Sequence, residues 1–536
     1  MNLPLKTLSW ICCLLACAFL LASPANAQAQ RPNIVFIFSD DHAYQAIGAY
    51  QSYLKDVVRT PNIDSLAEQG IRFDRCMVTN SICGPMRAVI QTGKYSHLNG
   101  FLDNRGTTKF DGSQTTFPKL LQKAGYQTAI VGKWHLGDNQ APQGYNYSEV
   151  LLGQGDYYNP VMMKDAKGSG VNQLRVKSQY TGYTTDIITD LALDWLNQGR
   201  DKSKPFMLML QNKAPHREWS PRPDIYEGWK DVTFPVPETL FENYKDKVKP
   251  RGAQEMTLAR HFRKGYDDKT NGFTPGRLTP EQSEAYKAMF AQDNEAFEKA
   301  LPNMTEQQRV EWVYQRYMRI YSACIESVDD NVGRVLKYLD DQGLTENTIV
   351  IYSSDQGFYL GEHGWFDKRW VYEESLKTPL IVRWPGKVKP GSVNNDIVSS
   401  LDFAETFLDV AGLEVPDEMQ GRSLAPILKG STPDDWRTSH YYHYYEFPAV
   451  HMVNRHYAVC TKRYKLIHFY KTENAKNPGF DEWELIDIEK DPLEQHNYYN
   501  DPAYAEVRAD LHAELERLRK LYQVPETDPD IKKDKS

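Results

Sequence analysis

Five short stretches of the chain are continuously apolar and rich in β-branched residues or Phe: Ile34 to Phe38, Thr128 to Val131, Phe206 to Leu210, Ile349 to Tyr352 and Leu380 to Val382. Runs without polar alternation predict strands buried on both faces, as in a parallel sheet. Helical signals lie between them. Thr60-Pro61 opens a helix that Gly70 ends, Phe117 to Ala124 stops at Gly125, and Ile187, Leu191 and Trp195 recur at helical spacing. Val328, Val332, Val335, Leu336 and Leu339 stripe a further helix closed by Gly343. Strands alternating with helices predict a doubly wound α/β lobe.

The stretch from about Lys245 to Asn331 is polar and helical, an excursion from that sheet, with capped helix starts at Thr279-Pro280-Glu281-Gln282 and Thr305-Glu306-Gln307-Gln308. After Trp384-Pro385-Gly386 the pattern changes. From about Trp436, short alternating strands around Tyr441 to Tyr445, Tyr457 to Cys460, Tyr464 to Phe469 and Trp483 to Ile488 predict a small antiparallel sheet. A last helix, striped by Val507, Leu511, Leu515, Leu518 and Tyr522, packs on it, and the tail beyond Pro525 reads as loose. The expected division is an α/β lobe over residues 28–415 and a smaller α+β lobe over 416–536.

The first residues read as an export signal: Lys6, an apolar run from about Leu8 to Leu21, and a small-residue cleavage site at Ala25-Asn26-Ala27. The run is too short to be a membrane span. Cleavage after Ala27 removes Lys6 and no acid, leaving 62 basic residues against 71 acidic ones. Such a balance excludes a nucleic-acid binder and requires any anionic ligand to be gripped by a local basic pocket. Cys76, Cys83, Cys324 and Cys460 remain, too few for a disulfide scaffold, and with no CxxC pair to hold a metal by thiolates.

Polar clusters follow directly on four of the five apolar runs: Ser39-Asp40-Asp41, Gly132-Lys133-Trp134-His135, Asn212-Lys213-Ala214-Pro215-His216 and Ser353-Ser354-Asp355-Gln356. In an open parallel sheet the carboxyl ends of the strands share one edge, where ligands bind. Alone, the acidic clusters suit helix N-caps or solvated turns, and the Lys–His clusters suit a surface Lys and a half-buried His. Together, Asp40, Asp41, Asp355 and Gln356 make an all-oxygen set that suits a hard cation such as calcium, and three converging acids demand a metal or basic partners. Lys133 and His135, two apart, point the same way on an extended backbone. Lys368 lies one loop beyond Asp355. Cys83, in Ser81-Ile82-Cys83-Gly84-Pro85-Met86-Arg87, leads into an apparent helix, Ala88 to Gln91, whose positive end favours anions.

CGPMR followed by AVIQTGKYSH resembles the signature of the formylglycine-dependent sulfatases: a Cys, any residue, Pro, a small residue, Arg. The resemblance extends in order through RPNIVFIFSDD, TPNIDSLAEQGIRFDRC, GYQTAIVGKWHLG, KAPH and SSDQGFYLGEHGWFDKR. Met86 departs from the usual Ser or Ala. The resemblance implies an alkaline-phosphatase-like fold, with a large mostly parallel sheet flanked by helices and a smaller C-terminal lobe. It implies that a maturation enzyme oxidises Cys83 to formylglycine before folding. A hydroxyl of the hydrated aldehyde then attacks sulfur, and its second hydroxyl loses a proton and expels sulfate as the aldehyde re-forms. By the same resemblance Asp40, Asp41, Asp355 and Gln356 bind calcium, while Arg87, Lys133 and Lys368 hold the sulfate. His216 is then the general acid and His135 the base that triggers collapse of the sulfoenzyme.

FDKRW, YYHYYEFPAVHMVNRHY and NGFLDNRG are most similar to bacterial N-acetylglucosamine-6-sulfatases. On that basis the substrate is a sulfated carbohydrate, 6-O-sulfated N-acetylglucosamine of mucin or heparan-type glycans. Asp367 and Arg369 reach sugar hydroxyls, His451 and His456 close the pocket from the smaller lobe, and His363 supports it. Two other readings stand beside this one: a formylglycine-dependent phosphonate monoester or phosphodiester hydrolase, and a non-catalytic binder of sulfated glycans if Cys83 stays a thiol.

Overall fold

A computed structural model describes residues 31–529 apart from 107, 138–140, 166–174 and 475. The expected signal segment, residues 1–27, and the end of the tail lie outside the described residues. A ten-stranded mixed sheet organises the larger lobe. Its strands are β1 (Asn33–Ser39), β2 (Ile71–Phe73), β3 (Gln127–Lys133), β4 (Tyr147–Leu151), β5 (Val161–Asp165), β6 (Arg175–Gln179), β7 (Phe206–Gln211), β8 (Thr348–Ser354), β9 (Leu380–Arg383) and β10 (Ser392–Asn394). They lie in the order β10-β2-β9-β8-β1-β7-β3-β4-β5-β6. The four central strands β8, β1, β7 and β3 are mutually parallel and carry four of the five apolar runs. The fifth run, β9, is antiparallel to both its neighbours.

Alternate residues of each buried strand feed two separate cores. Val35, Ile37, Ala129, Val131, Leu208, Leu210, Val350 and Tyr352 face one apolar cluster. It is covered by α1 (Pro61–Glu68), α4 (Thr184–Asp194) and α6 (Glu306–Asp341). Ile34, Phe36, Phe38, Ile130, Met207, Met209, Ile349 and Ile351 face the other, which takes in α2 (Cys83–Thr92), α3 (Phe117–Lys123) and α7 (Phe403–Val410). Both faces of the sheet are therefore covered, which is why its strands read as unbroken apolar runs. The helix α5 (Pro280–Ala300) and α6 both start with capping boxes, at Thr279 and Thr305. The Val328 to Leu339 stripe is the second half of α6, a helix of 36 residues, rather than a separate element.

The smaller lobe is a four-stranded antiparallel sheet of β11 (Ser439–Tyr444), β12 (His456–Thr461), β13 (Tyr464–Phe469) and β14 (Glu482–Asp487) with α8 (Ala505–Leu521) packed on it. Its Tyr441, Val459, Leu466 and Leu485 belong to the same apolar cluster as Phe36 and Met209, so the two lobes share a core. Buried ion pairs also tie them. Arg251 pairs with Glu242 at 3.0 Å and Glu484 at 3.6 Å, and Lys465 with Glu373 and Glu494 at 2.8 and 2.7 Å. All four described cysteines are free, so Cys324 and Cys460 form no bridge. Among the described residues no helix is long and apolar enough to cross a membrane.

Candidate active site

The C-terminal ends of β8, β1, β7 and β3 deliver Asp355, Asp40, His216 and Lys133 to one edge of the sheet. Asp40, Asp41 and Asp355 are fully buried, and one carboxylate oxygen of each lies within 4.8 Å of the others. Burial of three acids so close is costly without positive charge. Three cations provide it. Lys133 Nζ donates to Asp40, Lys368 Nζ lies 2.6 and 2.7 Å from the two oxygens of Asp41, and Arg87 Nη2 lies 3.2 Å from Asp355 Oδ2. Burial, opposed by Lys368 and reinforced by Asp355, still pushes the Asp41 carboxyl up to about 7.

The donor set fits a hard cation. Asp40 Oδ1 and Gln356 Oε1 are buried without hydrogen-bond partners among the described residues. The Gln356 amide lies against Asp41 and Asp355 with Nε2 inward, and turning it over presents its free Oε1 to the same carboxylates. Four oxygens from Asp40, Asp41, Asp355 and Gln356 then converge, a partial shell of the kind that suits a hard cation.

Cys83 is the first residue of α2, 1% exposed, with its Sγ within 4.8 Å of an Asp40 oxygen and a His216 ring nitrogen. Arg87, one turn further along α2, donates through Nη1 to the Lys133 carbonyl at 2.9 Å and to Gln211 Oε1. The helix therefore sets the positions of the Cys83 side chain and the Arg87 guanidinium together. His216 donates from Nδ1 to the Arg217 carbonyl, leaving Nε2 3.7 Å from Asp41 Oδ2. Burial, together with Lys133 and Lys368, holds its pKa well below the usual histidine value. His135 is depressed likewise, by burial and then by Lys133 and Arg87. Its backbone is not extended: at φ 56 it turns off the end of β3, so it and Lys133 do not share a strand face. Gln154 joins them instead, contacting Lys133 through Oε1 and His135 through Nε2.

Asp367 and Arg369 flank Lys368 as expected, and His451 joins them. Asp367 Oδ1 accepts from Arg369 Nε at 3.0 Å, and Asp367 Oδ2 is 3.4 Å from His451 Nε2. Burial opposes ionisation of Asp367, but Arg369, Lys368 and His451 together hold its carboxyl well below the usual range. Asp41, His135, Asp367, Arg369 and His451 all adopt positive φ, between 56° and 92°. Non-glycine residues in that region are strained, and they concentrate here at the site.

Two of the anticipated substrate residues sit elsewhere. His456 is fully buried in β12 among Trp370, Tyr442, Tyr444 and Phe469, with Nδ1 2.8 Å from the Asn454 carbonyl oxygen. Strand register turns it into the lobe's aromatic core rather than toward the pocket. His363 is 1% exposed, its Nδ1 2.6 Å from Glu242 and its Nε2 3.7 Å from Glu374. It braces the lobe junction and offers no face to a sugar.

The His363 cluster sets a pH-dependent stability. Burial lowers the imidazole's affinity for protons, but Glu242 and Glu374 raise its pKa to about 9. Arg251 also faces the ring, and Glu362 lies in the same buried group. A folded pKa above the unfolded 6.5 means the stabilisation is complete below about pH 6.5 and is lost as pH rises through 9. We expect His363→Gln to be about 3 kcal/mol less stable than wild type near pH 6. That gap should close toward pH 9 in denaturant titrations. A gap independent of pH would contradict the assignment.

Fold and site together define a hydrolase of the alkaline-phosphatase superfamily, with a buried cysteine at a helix start, a converging carboxylate set and a cluster of cations. The sulfatase family model matches residues 32–413, and a model of the N-sulphoglucosamine sulphohydrolase C-terminal region matches residues 361–521. An N-acetylglucosamine-6-O-sulfatase from Bacteroides thetaiotaomicron is 43% identical over 99% of this chain and 92% of its own. The human N-acetylglucosamine-6-sulfatase is 27% identical over 77% of this chain and 67% of its own. A solved structure with its substrate D-glucosamine-2-N,6-O-disulfate superposes with a TM-score of 0.86 at 43% identity, over 94% of this chain and 100% of that one. The chain belongs to the sulfatase family and is a sulfatase.

Proposed function

We propose that the protein is an exported sulfatase that removes the 6-O-sulfate of N-acetylglucosamine residues in mucin or heparan-type glycans. The observation that carries this reading is the adjacency of two groups: the cations around Cys83, and the Asp367–Arg369–His451 trio beside Lys368. The first suits a sulfate and the second a set of sugar hydroxyls. The relatives named above, described as acting on 6-sulfated glucosamine, support the choice of sugar. The apolar run from about Leu8 to Leu21, followed by the small-residue site Ala25-Asn26-Ala27, supports export.

Formylglycine, made from Cys83 by a maturation enzyme, would supply a hydrated aldehyde as the oxygen nucleophile and release sulfate by collapse of the diol. Asp40, Asp41, Asp355 and Gln356 would hold calcium, whose charge polarises the sulfate oxygens. Arg87, Lys133 and Lys368 grip those oxygens and neutralise charge that grows in the transition state. His216 Nε2, its tautomer fixed by the Arg217 carbonyl, takes the proton that the attacking residue-83 hydroxyl loses and passes it to the leaving sugar oxygen. His135, held against Lys133 by Gln154, accepts a proton from the residue-83 side chain. Asp367 and Arg369 orient the ring by bidentate contacts.

A panel of monosulfated sugars tests the reading. The kcat/KM for 6-sulfated N-acetylglucosamine should exceed that for 4-sulfated N-acetylgalactosamine, and that for a phosphodiester, by about 10²-fold or more. Preference for the phosphodiester would replace the reading by that of a phosphodiester hydrolase. A strong chelator should lower the rate and added calcium restore it. Indifference to the chelator would remove the metal from the mechanism.

A further inference from the structure

Asn104 lies against the reacting side chain, and no role in the mechanism above accounts for it. Its Nδ2 donates to Cys83 Sγ across 3.1 Å, and its backbone N–H donates to Glu446 Oε2 at 2.6 Å. The other oxygen of Glu446 accepts from Arg369 Nη1 at 2.9 Å, which ties the Asn104 loop to the sugar-binding arm. Next to it Arg105 pairs with Asp103 at 2.8 Å and donates to the Pro448 carbonyl at 3.1 Å. The loop is thus clamped from the smaller lobe at Asn104 and at Arg105.

The amide also needs the residue beneath it to be glycine. A Cβ added to Gly84 would fall 2.4 Å from Asn104 Oδ1 and 2.7 Å from Phe101 Cε1. Oδ1 is itself buried and has no hydrogen-bond partner among the described residues. A carboxamide packed at that cost, with its donor turned onto residue 83, suits an oxygen acceptor better than a thiol, because sulfur accepts hydrogen bonds weakly.

We infer that Asn104 is a positioning residue for the oxygen carried on Cβ of residue 83, and that Gly84 and Glu446 place it. The inference rests on the formylglycine reading and deepens it. The N–H of Asn104 fixes the direction of that oxygen, while Arg87, Lys133 and Lys368 hold the sulfate it attacks.

Asn104→Leu keeps the volume and removes the donor. Mass spectrometry of the peptide carrying position 83 first fixes the converted fraction in each protein. Per converted site, kcat should fall about 10²-fold while KM changes by less than about threefold. A second readout does not depend on turnover. With 13C at the cysteine Cβ, the aldehyde and diol forms of residue 83 are resolved by NMR, and their ratio should shift toward the free aldehyde in Asn104→Leu. Gly84→Ala, which keeps the amide but displaces it, should shift both readouts in the same direction. Should Asn104→Leu not fold, Asn104→Ala withdraws the donor and is read the same way.

A converted Asn104→Leu with wild-type kcat and an unchanged ratio overturns the inference alone. So does a lower kcat that comes with a lower Tm and an unchanged ratio, because that pattern marks a purely structural contact. A wild-type enzyme that turns over at full rate with a thiol at position 83 discards the formylglycine reading and this inference with it.

Discussion

Alanine at position 83 is expected to lower kcat on 6-sulfated N-acetylglucosamine by about 10⁵-fold, the scale seen when a nucleophile is removed. It should cost only about 1 kcal/mol of stability. Both numbers follow from the surroundings of Cys83. Its sulfur is buried, accepts one hydrogen bond from Asn104, and supports no salt bridge. Burial pushes the thiol pKa up, with Lys368 pulling the other way, so the unmodified residue stays protonated and is a poor nucleophile. On the proposed formylglycine reading its contribution comes from the oxygen acquired on oxidation, and alanine removes that alone. Arg87, Lys133, Lys368 and the carboxylates keep their pairings. Calorimetry should accordingly find binding of the sulfated sugar nearly intact and Tm close to that of wild type. An alanine variant that turns over at the wild-type rate would sink the nucleophile assignment.

Much of this site was legible along the chain because its residues stand at the ends of the most strongly patterned elements. Strands covered on both faces have no polar alternation, so β1, β3, β7 and β8 stand out, and their shared polarity brings Asp40, Lys133, His216 and Asp355 to one edge. Short outer strands such as β2 and β4 to β6 mix polar and apolar residues and gave no such run. Asn104, Gln154, Gln211 and Glu446 escaped for a different reason. Each is a neutral or acidic residue whose role comes from long-range contact, with Cys83, with Lys133 and His135, with Arg87, and with Arg369 respectively. No local spacing encodes such approaches. His456 shows the converse. A histidine in an aromatic strand near the candidate pocket invites a binding role, but strand register decides which face it takes, and here it faces the core.

Lys368→Met is expected to separate two functions that the proposed mechanism gives this one ammonium. Lys368 Nζ lies within 2.7 Å of both oxygens of Asp41, and three buried carboxylates, Asp40, Asp41 and Asp355, are balanced by Arg87, Lys133 and Lys368. Methionine keeps the length of the side chain and leaves one carboxylate unpaired in the interior, a loss of about 3–5 kcal/mol. The sulfate also loses one of its cations, so kcat/KM should fall about 10³-fold. Calcium answers only the first loss. With the ammonium gone, the carboxylate set carries an extra negative charge and binds the dication more tightly, so the Tm gap to wild type should narrow as calcium is raised. The rate should stay low throughout, because the cation held by the carboxylates cannot also occupy the place of Nζ beside the sulfate. Thermal unfolding and kinetics over one calcium series measure both. If the rate recovers in parallel with Tm, Lys368 serves only to balance the acids, and its place in the sulfate grip is lost.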